Sequence, residues 1–475
     1  MPPGQLTRPS STPVLSASAN WLEGRVRATF RSRAQPRTTW RQHTERALLL
    51  KITDVERILV DVPFTPRQQR ITLRTVYNWS ILELCKVTTD SGHVGWGETV
   101  IHYTYGRVTD QTVERVKGQS PAALMNDDTL GAGLQMALFD VVGKILEVPA
   151  YELMGSRMRE WTPISWWCSH SSPEDWAAEA AEAVENGYTS LKNKPRPWWD
   201  IVAQVEAIID VVPPHFKLDL DPNGSFQNAA AAIPIIKRLE QYDSVAMFET
   251  PIPQGDVLGY RQIHQSIHRP LALHFGNPPY ITNLREGLCD GYVIGGGKSV
   301  VVKQGTLSAE AGMPFWLQIV GNGLTTTWAA HLGAVLTHAT WPTISCINLY
   351  SHQLLKKRIE IVGGYQKVPE GPGLGVEIDE EAVDRHRIPD EALEPFQQQG
   401  QLYAHPPPRQ INTVVFPDGR CVHMAGLDLG YFNSQGPAYT EGVRVESRPD
   451  DGTPEWADLF ERVQHQPVKD RWEAA

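Results

Sequence analysis

The chain has 475 residues, 41% hydrophobic and 21% charged, which is typical of a globular protein with one large and one smaller domain. Its formal net charge of -10 argues against binding to nucleic acid or anionic membranes, and no run of about 18 apolar residues predicts a membrane span. Five scattered cysteines without a CxxC pair indicate neither a zinc knuckle nor a disulfide framework, which suits a reducing, cytoplasmic compartment.

The first 46 residues differ in composition from the rest of the chain. They hold eight Arg against two Glu, with many Ser, Thr and Pro and no apolar period. An Arg-rich, acid-poor segment is typical of an organelle presequence. A disordered tail, or a translated leader ahead of a true start near Lys51, is the simpler interpretation, because strand-like sequence begins abruptly at KITDVERILVDVPF. We therefore exclude residues 1–48 from the fold prediction.

Residues 49–160 predict a small α+β domain. ILVDV and SILELCKVTTDSGHVGWGE alternate around a turn at residues 90–92, which is typical of antiparallel strands. The spacing then becomes helical, and LQMALFDVVGKILEVPAYELMG predicts one long amphipathic helix. Six apolar residues lie on one face of this helix: Leu134, Ala137, Leu138, Val141, Val142 and Ile145. A strand meander followed by helices indicates an α+β unit.

Residues 161–365 predict a TIM barrel. Amphipathic helices alternate with the short apolar segments YTSLKNK, FKLDLD and VAMFETP, which indicates a parallel sheet with right-handed crossovers. The later predicted strands are GYVIG, PFWLQIV and TISCINL, of which TISCINL is the eighth. Polar residues at the predicted strand ends, Lys194, Asp221, Glu249 and His274, are separated by 27, 28 and 25 residues. That interval is close to the roughly 30 residues per βα unit of a 250-residue barrel. An open doubly wound sheet is disfavoured, because no Gly-rich phosphate loop follows the first strand.

Acidic residues end two consecutive predicted strands. Alternation in FKLDLDPNGSF directs Lys217, Asp219 and Asp221 into the barrel, with Asp221 last before a Pro-Asn-Gly turn. An Asp in that position is often only a turn cap. MFETPIP places Glu249 at the same point one unit later, and two carboxylates at one barrel mouth repel unless a cation or a basic group separates them. Hard oxygen ligands favour Mg²⁺ or Mn²⁺.

Five segments, taken in chain order, resemble the mandelate racemase and muconate lactonizing branch of the enolase superfamily. Asp-x-Asn at 221–223 and Glu-x-Pro at 249–251 resemble its first two metal ligands, and SLKNK, with Lys192 and Lys194, resembles its Lys-x-Lys motif. The long amphipathic helix resembles that of its capping domain, and VPEGPGLGVEID (368–379) resembles its C-terminal segment. This last segment and LDPNG (220–224) are most similar to acid-sugar dehydratases of the glucarate type.

The resemblance implies a (β/α)7β-type barrel under an N-terminal α+β capping domain, with residues 366–475 returning to that domain and extending beyond it. It implies a bound Mg²⁺, or else Mn²⁺, a small carboxylate substrate and a homo-oligomer. In this family the metal stabilises the enediolate that forms when a Lys or His removes a weakly acidic α-proton. Lys194 would be that base, with its pKa lowered by the neighbouring cation Lys192. Two solvated lysines at a strand edge are the alternative.

Several positions depart from the family's pattern. The third ligand position, in PLALHFGNPP, holds His274, a softer ligand that shifts preference toward Mn²⁺, Fe²⁺ or Zn²⁺. A His that contacts the substrate or another ligand is the alternative. Gly295 stands where relatives place a catalytic Asp or Lys, Gln318 where dehydratases carry His, and Cys346 and Asn348 where an acidic residue is common. One lysine then remains as the only recognisable base, which disfavours two-base racemisation.

Substrate contacts are expected at strand ends and in two capping loops, near residues 63–77 and 99–105. The candidates are Asn223, Gln318, Asn277, Tyr77 and His102, with Arg67, Arg70, Arg74 and Tyr103 as further possibilities. Solvated loops are the alternative. We expect a metal-dependent lyase that removes the α-proton of a carboxylate and dehydrates a sugar acid. A racemase, epimerase or lactonizing isomerase is the second hypothesis, and an inactive binding protein on the same scaffold is the third.

Overall fold

The computed structural model describes residues 50–103, 106–393, 409–427, 430–432 and 439–472, and the backbone alone of 396–398 and 401–403. The predicted tail, residues 1–48, lies outside the described residues. Elements are numbered in chain order. The strands are β1 Ile52–Asp61, β2 Ile81–Thr89, β3 Val94–Val100, β4 Trp161–Pro163, β5 Trp166–Cys168, β6 Ser190–Asn193, β7 Lys217–Leu220, β8 Val245–Glu249, β9 Leu271–His274, β10 Gly291–Ile294, β11 Phe315–Leu317, β12 Ile361–Val362, β13 Tyr365–Lys367, β14 Phe396–Gln398, β15 Gln401–Tyr403, β16 Gln410–Val415, β17 Arg420–Met424, β18 Arg444–Pro449 and β19 Val468–Arg471. The helices are α1 Pro66–Thr72, α2 Asp110–Val116, α3 Pro121–Leu124, α4 Ala132–Leu146, α5 Pro173–Glu185, α6 Ile201–Ile209, α7 Ala229–Leu239, α8 Val257–Ser266, α9 Tyr280–Glu286, α10 Lys298–Glu310, α11 Gly323–Val335, α12 Glu380–His386 and α13 Pro454–His465.

The elements of residues 50–160, here called the capping elements, include a three-stranded antiparallel sheet, β1-β2-β3, covered by α4. A Cβ at Gly97 of β3 would collide with the carbonyl oxygen of Gly133 in α4, so a glycine is required for this close approach. Five of the six predicted apolar residues of α4 are buried in one cluster and the sixth, Ile145, packs against it. The predicted amphipathic helix and its buried face are therefore confirmed.

The predicted TIM barrel is also confirmed. Strands β5 to β11 form one parallel sheet in chain order. Thr343 and Ile344 close the ring, since Thr343 forms a parallel bridge with Ile164 and Ile344 forms one with Gln318. Their N–H groups donate to the carbonyls of Pro163 and Leu317, at 2.9 Å in both cases. The predicted eighth strand, TISCINL, is thus shortened to two bridging residues.

The side chain of Asn348 reinforces the closure of the ring. Its Oδ1 accepts from the backbone N–H of Trp167 at 3.1 Å, and its Nδ2 donates to the carbonyl of the same residue at 2.8 Å. Cys346, two residues earlier, is buried with a left-handed φ of 61°, and burial raises the pKa of its thiol to about 12. Cys346 and Asn348, which stand where an acidic residue is common in the family's pattern, therefore pack within the barrel wall.

After the barrel the chain returns to the N-terminal elements. The backbone N–H of Leu374 donates to Asp140 Oδ1 of α4 at 2.7 Å, and the carbonyl of Gly373 accepts from Ala150 at 2.7 Å. The chain then forms an antiparallel sheet in the order β18-β16-β17-β19, here called the C-terminal sheet, which packs against α13. β16 and β17 form a hairpin around residues 418–419.

The largest hydrophobic core lies between the barrel strands and their surrounding helices, and it extends into the N-terminal elements. The five cysteines are all buried and unpaired. No helix among the described residues is both long enough and apolar enough to cross a membrane.

Candidate active site

The barrel brings five of the predicted site residues to one end. Lys194 directly follows β6, Asp221 follows β7, and Glu249 and His274 are the last residues of β8 and β9. Lys192 lies inside β6. Since the carboxyl ends of parallel barrel strands open on the same mouth, these side chains converge there.

The lysines and carboxylates form a buried ionic cluster. The Nζ of Lys192 contacts Glu249 Oε2 and lies 3.6 Å from Oδ2 of both Asp219 and Asp221. The Nζ of Lys194 contacts Asp221 Oδ2. The side chains of Lys192, Asp221 and Glu249 are fully buried, and buried charges persist only when they are paired. The alternative of two solvated lysines is therefore wrong.

Burial and charge shift the pKa values within this cluster. Burial lowers the pKa of Lys194 to about 8; the Asp221 carboxylate opposes this shift and the Lys192 ammonium adds to it. Burial alone would raise the pKa of Asp221, but Lys194 and Lys192 outweigh it and bring the pKa to about 2. Burial raises the pKa of Asp219 to about 6 against the opposing charge of Lys192. An amine with a pKa near 8 can exchange protons close to neutral pH.

The carboxylates of the cluster suit a divalent cation. Neither oxygen of Glu249 accepts a hydrogen bond of normal geometry. The carboxylates of Asp221 and Glu249 offer the hard oxygen atoms that Mg²⁺ and Mn²⁺ prefer. His274 Nε2 lies 3.1 Å from Glu249 Oε1, and burial lowers the pKa of this imidazole to about 4, which leaves it neutral. In the described part of the chain, no three His, Cys, Asp or Glu residues already surround one point as metal ligands, and the ammonium groups of Lys192 and Lys194 contact Glu249 and Asp221. The donor set fits a metal that displaces these ammonium groups.

Gln318 connects the cluster to the capping loop. Its Oε1 accepts from Lys192 Nζ at 3.2 Å, and its Nε2 donates to the hydroxyl of Tyr103 at 3.2 Å. The ring of Tyr103 packs edge-on against Trp79, with ring centroids 5.0 Å apart. The Lys192 ammonium also lies 4.5 Å from the centroid of the Trp316 ring. An amide in place of the family's catalytic His therefore holds Lys192 rather than serving as a base.

The other predicted substrate contacts are distributed differently. Asn223 is part of the mouth, because its backbone N–H donates to Asp221 Oδ1 at 2.9 Å. Asn277 is exposed on the loop after β9, outside the buried cluster. Tyr77 begins a short 3-10 helix of the capping elements, and His102 is buried in the loop after β3. Their contacts with substrate stay predictions.

Two capping arginines proposed as substrate contacts are engaged elsewhere. Arg67 pairs with Glu179 at 2.9 Å, and Arg70 pairs with Asp175 at 2.6 Å, both on the first barrel helix, α5. The expectation that these guanidinium groups face the substrate is therefore corrected. They hold the capping elements against the barrel, because α5 presents acidic side chains directly opposite them.

One residue of the mouth, Arg196, is absent from the sequence-based set. Its guanidinium donates to the carbonyls of Asp221 and Pro222 at 3.3 and 3.1 Å, and to Asn223 Oδ1 at 2.7 Å. Burial lowers its pKa to about 10. The sequence feature that could have identified Arg196 is its position two residues after Lys194, on the loop that follows β6.

Gly295 has no room for the Asp or Lys that the family resemblance would place there. A Cβ at this position would lie 2.6 Å from the carbonyl oxygen of Gln318. We expect Gly295→Ala to lower the free energy of unfolding by about 1–3 kcal/mol, because the wall must shift to admit a methyl group. Chemical denaturation measures the loss. Gly255→Ala is the matched control, since no atom lies within 4 Å of its Cβ position, and equal effects of the two substitutions would contradict the packing argument.

Comparison with known proteins finds relatives among sugar-acid dehydratases and racemases. Residues 175–382 match the family model described as enolase C-terminal domain-like. D-xylonate dehydratase from Haloferax volcanii is 25% identical over 403 residues, which span 72% of this chain and 90% of that enzyme. N-succinyl-L-Arg/Lys racemase from Bacillus cereus is 28% identical over 215 residues, 41% of this chain and 58% of the racemase. The crystal structure of a mandelate racemase/muconate lactonizing family protein from Azoarcus sp. EbN1 aligns with a TM-score of 0.58 at 24% identity, covering 72% of this chain and 98% of that one.

Proposed function

Because the chain belongs to the enolase superfamily, in its mandelate racemase and muconate lactonizing branch, we propose that it is a divalent-metal-dependent enzyme that removes the α-proton of a carboxylate substrate. The observation that carries the proposal is the buried cluster at the barrel mouth, in which Lys194 contacts Asp221 and Lys192 contacts Glu249. A site that had lost its function would have no reason to keep five ionisable side chains in contact at the ends of four strands.

Asp221 and Glu249 would hold the metal, with His274 as the third ligand. When bound, the cation supplies positive charge that favours negative charge on the substrate carboxylate during proton removal. Lys192 lies beside the same carboxylates and adds a second positive charge at this point. It therefore orients the substrate carboxylate toward the base.

Lys194 takes the α-proton on its Nζ. Its pKa of about 8 leaves a usable neutral fraction near pH 7, and burial shields the amine from bulk water. In a dehydration, the α C–H bond breaks, the β-hydroxyl leaves, and the proton held on Lys194 passes to that hydroxyl to form water. The enol that remains becomes a 2-keto-3-deoxy acid. A single base on one side of the substrate is sufficient for this sequence.

Two observations favour dehydration of a sugar acid over the other reactions of the superfamily. D-xylonate dehydratase matches 72% of the chain, and the LDPNG and VPEGPGLGVEID segments resemble glucarate-type dehydratases. The wall opposite Lys194 carries Gly295 and the amide Gln318, and neither can act as a second base. An isomerase is the second candidate, which the match to N-succinyl-L-Arg/Lys racemase supports.

A panel of five- and six-carbon aldonates and aldarates tests this function. In the presence of Mg²⁺ or Mn²⁺ we expect at least one acid to yield a 2-keto-3-deoxy product, measured as its semicarbazone. Deuterium incorporation at the α-carbon in D₂O, without a keto acid, would instead support the isomerase. Neither signal across the panel and both metals would contradict the enzymatic proposal and favour the binding protein.

A further inference from the structure

The loop that joins β6 to α6, residues 194–200, is packed against the C-terminal sheet. Trp198 and Trp199 of this loop are each 3% exposed. They share one hydrophobic cluster with residues of the sheet and its connections: Val414, Val422, Met424, Phe432, Val443 and Val445. Removing the C-terminal sheet would expose two indole rings at the edge of the barrel mouth.

Asp200 joins the same loop to the sheet through one carboxylate. Its Oδ1 accepts from the backbone N–H groups of Val202 and Ala203, both at 3.1 Å, and so caps α6. The same oxygen accepts from the hydroxyl of Tyr439 at 3.0 Å, and Oδ2 accepts from the N–H of Gly442 at 2.7 Å. By contrast, the capping Asp256 of α8 accepts from Gly259 of its own helix.

Two further contacts hold the loop from the barrel side. Nδ1 of His170, on the loop after β5, accepts from the indole N–H of Trp199 at 3.1 Å and of Trp198 at 3.4 Å. Burial lowers the pKa of His170, which keeps this nitrogen unprotonated and able to accept. Arg74 of the capping elements donates to the hydroxyl of Ser447 in β18 at 3.5 Å. The capping elements, the barrel and the C-terminal sheet thus meet around one loop.

The loop begins at Lys194 and carries Arg196, which donates to the carbonyls of Asp221 and Pro222. We propose that the C-terminal sheet positions this loop, and through it Lys194 and Arg196, with Asp200 and Tyr439 as the positioning residues. The inference rests on the proposed role of Lys194 as the base. It goes beyond the family match, which ends at residue 382, before the sheet begins.

Tyr439→Phe and Asp200→Asn test the proposal. Tyr439→Phe removes one hydroxyl and keeps the ring, which lies 5.6 Å from Arg238. We expect backbone amides 194–203 to exchange hydrogen about tenfold faster, the scale of one lost hydrogen bond, as measured by mass spectrometry. We also expect kcat for α-proton exchange to fall by about tenfold with a smaller change in KM, because the base is misplaced while substrate binding is retained. The double variant should lose no more kcat than Asp200→Asn alone, because the Tyr439 hydroxyl acts through Asp200.

Asp256→Asn is the matched control, since it weakens a helix cap whose hydrogen bond lies within its own helix. It should leave amides 194–203 and kcat unchanged. Unchanged exchange of amides 194–203 in both test variants would overturn the proposal, and so would faster exchange with an unaltered kcat. If the wild-type protein acts on none of the tested acids, that result contradicts the proposed function and leaves the positioning proposal to be tested in another way. Labelling of the Lys194 amine by trinitrobenzenesulfonate then tests whether the C-terminal sheet positions the loop. We expect faster labelling in both test variants than in the wild-type protein, and an unchanged labelling rate would contradict the proposal.

Discussion

Replacing Lys194 with alanine should abolish deuterium incorporation at the α-carbon of the substrate and formation of the keto acid. Proton transfer by a positioned side chain contributes about 10²–10⁴-fold to rate, and the second amine of the cluster, Lys192, is held by Glu249. We expect a loss of at least that size in kcat, measured by proton NMR in D₂O. Lys194→Arg should be equally inactive, because arginine keeps the charge and cannot give up its proton near neutral pH.

Lys217→Ala is the matched control for this prediction. Lys217 lies on the neighbouring strand but at its amino end, where its Nζ donates to the carbonyl of Asp243 at 2.7 Å. It should retain both activities. Full α-proton exchange in Lys194→Ala would contradict the assignment of Lys194 as the base.

Excess Mg²⁺ or Mn²⁺ should raise the thermal midpoint of the wild-type protein and leave Asp221→Asn and Glu249→Gln unchanged. A ligand at about 100 times its Kd stabilises the native state by about 2.7 kcal/mol, which is readily detected. Each substitution replaces a buried carboxylate ligand with a neutral amide. We therefore expect the affinity for the metal, measured by isothermal titration calorimetry, to fall by at least about 100-fold. Chelator treatment of the wild-type protein should abolish turnover, and added metal should restore it.

Asp219→Asn provides the matched control for metal binding. The carboxylate of Asp219 belongs to the same cluster, 3.6 Å from Lys192 Nζ. Asp219 lies within β7, however, two residues before Asp221, which follows the end of that strand. Metal affinity should stay within a few fold of wild type. A wild-type protein that shows no thermal shift with either metal would contradict the assignment of Asp221 and Glu249 as ligands.

The architecture and the centre of the site could be predicted because both follow from local repetition. Helices and strands of the barrel recur at nearly constant intervals, so the ends of β6, β7, β8 and β9 could be located, and barrel geometry requires them to meet. Lys194, Asp221 and Glu249 were found in this way. The closing strand was overestimated, because apolar character in TISCINL does not reveal that only Thr343 and Ile344 would pair.

Contacts between distant segments left no comparable pattern. Nothing near Arg67 in the sequence indicates Glu179, which lies 112 residues further along the chain. Arg196 was overlooked because its acceptors are mostly backbone carbonyls of another loop, and carbonyls have no sequence signature. The packing of Trp198 and Trp199 against a sheet more than 200 residues later is equally invisible to periodicity.

The order in which the chain is synthesised gives that packing a biological consequence. A ribosome reaches the C-terminal sheet only after it has translated every strand of the barrel, so a nascent chain with a complete barrel still has two uncovered indole rings beside the mouth. A nonsense mutation in the codons for residues 410–414 would spare all the ionisable side chains of the cluster, yet it would remove every residue of the sheet that covers the two rings and leave an exposed apolar patch. Such a patch is the kind of surface that chaperones and proteases recognise in unfinished proteins. The codons for the C-terminal sheet therefore determine whether a truncated product is retained or destroyed.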